Sequence, residues 1–163
     1  MKFVSEEAID AVLDQLEEYS DEQYERAMEA FSKAQPYVFA YLFSEDNFHL
    51  LTEEEKGYVQ YLGLVAWLAV RRVNGDVPPV DSETIGEAEE RNYERLETTS
   101  GRRFEERLEA FFDDTNQEAL LSFAVEAVTE DGEEEGLVVT PEGRETVFVA
   151  VKTVIDVLTK NAS

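Results

Sequence analysis

His49 is the single histidine of this 163-residue chain, and Glu45 and Glu53 stand four residues to either side of it. On a continuous helix that spacing would put one imidazole and two carboxylates on a common face, the beginning of a metal site. It goes no further. Zinc centres draw on several His or Cys ligands and di-iron bundles on two Glu-x-x-His motifs, and Thr52 reads as a helix cap that separates His49 from Glu53. A Ser-His-acid triad would need the same His49, and the chain has no Gly-x-Ser-x-Gly elbow. It has no phosphate-cradling Gly-x-x-x-x-Gly-Lys-Ser/Thr or Gly-x-Gly-x-x-Gly loop either. The acidic run Asp131 to Glu135 lacks the alternating ligands and the closing bidentate Glu of an EF-hand and reads as a solvated turn. With no Cys there is no thiolate nucleophile, disulfide or Cys-based metal site, and 38 acids make paired carboxylates uninformative. No cofactor is expected.

The arginines are more informative. Seven of nine fall in residues 71 to 107, a segment of net charge −3 between flanks of −11 and −10. Arg71, Arg72, Arg91, Arg95, Arg102, Arg103 and Arg107 either neutralise the acidic flanks within the fold or make a local basic face. The second option centres on Ser100-Gly101-Arg102-Arg103, where the pattern places two arginines in the first turn of a helix. Cations there oppose the helix dipole, so an anion held by the backbone N–H groups and both guanidinium forks would account for them. The candidate anion or partner site therefore comprises Arg71, Arg72, Ser100, Gly101, Arg102, Arg103 and Arg107.

The elements that must position these residues read as helices. Ser5 caps a first helix to about Glu18, with Val4, Ile9, Val12, Leu13 and Leu16 at helical spacing. Ser20 with Gln23 and Thr52 with Glu55 are capping boxes for a second and a fourth. The second runs to about Gln35, and the fourth extends to Arg72 before Asn74-Gly75 stops it and is the expected central helix. Pro36 opens a third, whose apolar run from Tyr37 to Phe43 predicts burial on most sides. Gly63, Ala66 and Ala69 form a narrow track for close helix packing. Ser82 to about Glu97 is a weakly amphipathic surface helix anchored by Ile85, Ala88, Tyr93 and Leu96, with Glu87 and Arg91 as an i,i+4 pair. Phe104, Leu108 and Phe111 share a face of the next, Thr115 with Glu118 boxes another, and the two read as a helical hairpin. Thr140-Pro141-Glu142 opens a last helix carrying Val147, Val151, Val154, Ile155 and Leu158. Its β-branched residues leave a short β-hairpin near 137–151 as the alternative. The fold class is all-α, a single-domain bundle of about seven or eight helices over residues 1–163, its halves 1–73 and 82–163 joined by the Pro-Pro linker 74–81.

A net charge of −24 repels a phosphate backbone, so direct nucleic-acid binding is not expected. The longest apolar run, Tyr61 to Val70, is too short to span a bilayer, and the acidic start is no secretory signal. A cytoplasmic protein with no membrane span is the expectation. Five Lys against 28 Glu suit a surface adapted to high salt or built for solubility, with a basic partner as the third explanation.

The leading reading is a non-enzymatic protein-protein interaction or adaptor domain, self-associating or bound to another protein. It requires that Tyr37, Phe39, Tyr41, Phe43, Tyr58 and Tyr61 are not all buried. The alternatives are an acidic nucleic-acid mimic that occupies a basic protein through Glu17, Glu18, Asp21, Glu22, Glu25 and Glu29, and a small enzyme or anion-binding protein that uses Arg102 and Arg103.

Overall fold

Helix starts coincide with side chains that can satisfy the first free N–H groups. In the computed structural model, which describes residues 1–99, 101–129 and 139–160, Ser5 Oγ accepts from Ala8 N at 3.2 Å and opens α1 (Glu6–Glu17). Ser20 and Gln23 form a reciprocal capping box at the head of α2 (Asp21–Ala34), with bonds of 2.8 and 3.2 Å. Pro36 begins α3 (Pro36–Leu42), and Thr52 with Glu55 boxes α4 (Glu53–Asn74), which ends at Gly75 with φ 77°. Asp81, one residue before the expected start, caps α5 (Ser82–Thr98). Its carboxylate accepts Thr84 N at 2.8 Å, and that bond holds the Asp81 carboxyl below its ordinary range. A short α6 (Phe104–Glu109) runs into a 3₁₀ turn (Ala110–Asp113), and α7 (Glu118–Thr129) and α8 (Arg144–Lys160) complete the order. The protein is all-α, with eight α-helices and no strand among the described residues.

The centre is shared by two helices rather than held by α4 alone. α8 packs against α4, α5 and α7, and α1 packs against α4 and α7. Every residue of α8 from Val147 to Ile155 is buried, as are Val157 and Leu158. This explains why a segment rich in valine is helical. β-Branching lowers helix propensity by only tenths of a kcal/mol per residue, and a helix enclosed on three sides buries far more apolar surface than a hairpin with one solvated face. The hairpin alternative fails over residues 144–151 for this reason; Leu137 and Val138 lie outside the described residues.

Gly63 is where α3 meets α4. A Cβ there would stand 2.3 Å from Leu42 Cδ1, and Leu42 is itself 1% exposed, so it has no free space to enter. Gly63→Ala is expected to lower stability by about 1–3 kcal/mol through overpacking, read as a fall in the urea midpoint. An unchanged midpoint would show that α3 yields to α4 without cost.

Four expectations need correction. α3 is not buried on most sides: Val38, Tyr41 and Leu42 face inward, while Tyr37 is 50% and Phe43 39% exposed. α5 lies along α8, and its inward row is Ile85, Ala88, Asn92 and Leu96; Tyr93 stands at the edge of that row, 38% exposed, because 92, not 93, continues the i+3/i+4 spacing from 88. Thr115 does not box with Glu118. Its hydroxyl accepts Gln117 N at 3.0 Å, and Gln117 turns its amide to the N-terminal segment, accepting Val4 N at 2.9 Å and donating to Lys2 O at 3.2 Å. Finally, Thr140-Pro141-Glu142 forms a turn ahead of α8, which starts at Arg144.

The segment 74–81 is a packed turn. Val77 and Val80 are buried, and the side chain of Gln35, between α2 and α3, donates to Val77 O at 2.9 Å and Pro78 O at 3.0 Å and accepts Val80 N at 3.0 Å.

Candidate functional site

The arginines of the site expected from sequence each have surroundings of their own. Arg71, at the end of α4, stacks its guanidinium 5.2 Å over Trp67 and pairs with Asp76 at 3.1 Å; Arg72 is exposed beside it. Arg107 ties three helices together, donating to Leu96 O at 3.0 Å and pairing with Glu145 at 2.8 Å. Gly101 adopts φ 90°, Arg102 and Arg103 are exposed, and Ser100 lies outside the described residues. Arg103 is the residue before α6, so neither Arg102 nor Arg103 occupies a first helical turn, and α6 has only six residues. The argument from an opposed helix dipole therefore loses its footing. His49 lies in the turns between α3 and α4 with Nδ1 3.0 Å from Asp46 O, while Glu45 and Glu53 converge on Lys56 at 2.7 and 3.2 Å. Among the described residues no group of three or more His, Asp or Glu is placed to hold a metal ion. The acidic run Asp131 to Glu135 lies outside the described residues.

Arg91 and Arg95 reach a cleft of about 800 Å³ between α5, the turn before α7, and α8. Its polar groups answer one another. Arg95 pairs with Asp114, and Lys152 pairs with Asp156, which also accepts Asn92 Nδ2 at 3.1 Å. The cations of Arg95 and Lys152 both stand over the Phe111 ring, at 5.5 and 5.7 Å. The Arg95 charge holds the Asp114 carboxyl below its ordinary range. Such a network fastens three elements together.

The other feature is the outer side of α3. Of the five large apolar side chains exposed among the described residues, Tyr37, Phe43 and Leu50 lie on α3 or the turns after it, and Leu50 is 82% exposed. An aromatic column backs this surface. Phe43 stacks on Phe39 with centroids 4.3 Å apart, Phe39 meets Phe31 edge-on at 5.8 Å, and Phe31 stacks on the buried Trp67 at 5.0 Å. Phe43 is therefore held in place before any partner arrives, which reduces the ordering cost of contact.

Beside it, α3 and α5 enclose a trough of about 330 Å³. Tyr41 and Ile85, both nearly buried, make the floor. At one end the Tyr41 hydroxyl donates to Glu89 Oε2 at 2.6 Å, and burial, reinforced by the Glu89 charge, pushes the Tyr41 pKa far above the ordinary phenol value. Tyr41 thus stays a neutral donor, with the Glu89 carboxyl beside it in the trough. Gly86 lines the wall; a Cβ there would meet nothing within 4 Å. A glycine in mid-helix costs about 1 kcal/mol relative to Ala, and no neighbour in the fold requires this one. No protein-family model, curated protein or solved structure matches the chain.

Sequence reasoning singled out the aromatics of α3 but not their facing, because an unbroken apolar run carries no polar marker of its outer side. It passed over Gly86 altogether. The signal was there: a glycine inside a helical pattern, directly after the inward-facing Ile85. Among the described residues no helix is long and apolar enough to cross a membrane.

Proposed function

We propose that this chain is a non-enzymatic protein-binding domain whose docking surface is the outer side of α3. The observation that supports it is the exposure of Tyr37, Phe43 and Leu50 on one short helix and the turns that follow, against a surface that is otherwise acidic. Large apolar side chains held rigidly in the open are the usual anchors of an interface, with charged residues at its rim. The partner carries positive charge, because a net charge of −24 favours encounter with a basic surface and opposes pairing with a second copy.

The nucleic-acid-mimic alternative has less support. Of its candidate acids on α2, Glu22 is paired with Arg26 at 2.6 Å and Glu29 with Lys33 at 2.9 Å, so the row is partly neutralised within its own helix. The anion-binding alternative rested on Arg102 and Arg103 inside a helical turn, a position they do not hold.

The test uses a fluorescein-labelled synthetic 14-residue peptide of Leu and Lys whose leucines recur at i, i+3, i+4 and i+7, followed by fluorescence anisotropy. Tyr37→Ala, Phe43→Ala and Leu50→Ala are each expected to weaken binding several-fold, and together more than tenfold; Tyr37→Ala and Leu50→Ala should change the melting temperature by no more than about 2 °C because exposed side chains contribute little to folding, while Phe43→Ala also loses its stack on Phe39 and is expected to lower it further. Unchanged binding by all three variants would reject the surface. Light scattering on the unmodified chain is expected to report a monomer; a dimer broken by Leu50→Glu would instead make a second copy the occupant.

A further inference from the structure

We infer that the trough between α3 and α5 is the seat of a short basic amphipathic helix, an assignment that rests on the docking reading above and names its occupant. The lining residues set the shape. On α3 and the turn after it they are positions 37, 40, 41 and 44, with Asn47 beyond them in the following turn, and on α5 they are 82, 85, 86 and 89. Each row follows i, i+3, i+4, i+7, the face one helix shows to another. Two helices that offer such rows to one trough present the geometry in which a bundle receives an additional helix.

Size and surface restrict what fits. α3 has seven residues, about 10 Å of axis, so the seat spans two helical turns and accepts one or two large apolar side chains over Tyr41 and Ile85. Gly86 leaves α5 bare on this wall, so the occupant's backbone can approach closely. Alanine in place of Gly86 would favour α5 in the isolated protein, and a bound helix is what makes the missing side chain useful.

Charge selects among occupants. No Lys or Arg lines the trough, and Glu89 does. Its Oε2 takes the Tyr41 hydroxyl, which leaves Oε1 to accept from an incoming ammonium or guanidinium. Glu83, Glu87 and Glu90 stand exposed on the same helix, and Glu45 and Asp46 follow α3. A helix with an apolar stripe flanked by Lys or Arg meets each of these features, whereas a second copy would bring another −24.

The probe is the same labelled Leu/Lys peptide, compared with a scrambled peptide of identical composition that has no apolar face, both in 150 mM KCl. The amphipathic peptide is expected to bind with 1:1 stoichiometry at least tenfold more tightly than the scrambled one. Gly86→Leu fills the trough and is expected to weaken binding at least tenfold without lowering the melting temperature, since leucine is the better helix former. Gly57→Leu, at the other helical glycine with nothing within 4 Å of its Cβ position but outside the trough, is expected to bind as the unmodified chain does. Wild-type binding by Gly86→Leu, with Phe43→Ala and Leu50→Ala weakened, would overturn the trough and leave the α3 surface standing. Wild-type binding by all of them would overturn both. Equal affinity for the two peptides, or no saturable binding below 100 µM, would overturn the amphipathic occupant.

Discussion

Glu55→Gln is expected to destabilise the protein by about 3 kcal/mol at neutral pH, although Glu55 touches no ligand and sits at the start of a helix. Glu55 is 1% exposed; its carboxylate accepts three hydrogen bonds and its backbone N–H donates a fourth. Thr52 N reaches Oε1 at 2.9 Å, Thr140 N and Thr140 Oγ1 reach Oε2 at 2.9 and 3.0 Å, and the backbone of Glu55 closes the box on Thr52 Oγ1 at 3.1 Å. One carboxylate therefore joins the head of α4 to the turn that starts α8. Burial acts to raise the Glu55 pKa, and the hydrogen bonds from Thr52 and Thr140 outweigh it, so the folded value lies below the ordinary one of 4.5. An amide of the same shape turns an N–H₂ group toward donors on one side and leaves N–H groups unpaired, each costing about 1–3 kcal/mol.

The sign of the pH effect follows from the depressed pKa. Between the two values the unfolded chain binds the proton and the folded chain does not, so this contribution is fully present above about pH 4.5 and is lost as pH falls through the folded pKa. The measurement is urea unfolding from pH 7 to pH 3: the gap between wild type and Glu55→Gln is expected to narrow below pH 4.5. A constant gap would mean that Glu55 acts through shape alone. Gly143→Ala provides an independent check. Its Cβ would stand 2.1 Å from Glu55 Oε2, so the methyl group must displace a carboxylate that is held on both sides. It is expected to reproduce most of the loss, and to add little in the double variant.

Gln35→Ala is expected to cost about 3–5 kcal/mol, the larger of the two effects at a single neutral side chain. Gln35 is fully buried, and its amide satisfies two carbonyls and one N–H of the segment 74–81, which has no helical or sheet partner of its own. Its backbone also ends α2 and begins α3, donating to Phe31 O at 2.8 Å and accepting Phe39 N at 2.9 Å. Truncation leaves three backbone groups without partners beside a cavity, and water can rescue them only by opening the turn. Hydrogen exchange at Val80 N–H should accelerate well beyond the global change in stability, because the segment would then open locally. A small loss with unchanged exchange would show that the prolines alone hold the turn. Gln35→Glu is expected to be no better, since it sets a carboxylate against two carbonyl oxygens.

These two clasps mark the boundary of what can be read from residues in order. The ends of α1, α2 and α4 were legible because a cap is a bond between neighbours three apart: Ser5 to Ala8, Ser20 to Gln23, Thr52 to Glu55. The inward row of α1 was legible for a similar reason, since polar residues alternate with apolar ones at the helical period and show which side is wet. The all-helical class follows from such local signals. Gln35 and Val80, or Glu55 and Thr140, are 45 and 85 residues apart, and no local pattern announces a polar side chain that serves a distant backbone.

The candidate site lay on the far side of that boundary. In α3 every residue from Tyr37 to Leu42 is apolar, so the chain carries no mark that Val38 turns inward and Tyr37 outward; packing against α2, α4 and α5 decides it. The arginines show the opposite case. Closeness in sequence suggested a common site, yet Arg71, Arg95 and Arg107 each found a carboxylate on a different element. What residues in order determined here is the set of helices, because caps and periodicity act within one or two turns. Which faces remain open to a partner is set only when helices distant in the chain have chosen their neighbours, because exposure is a property of the packed whole and not of any segment.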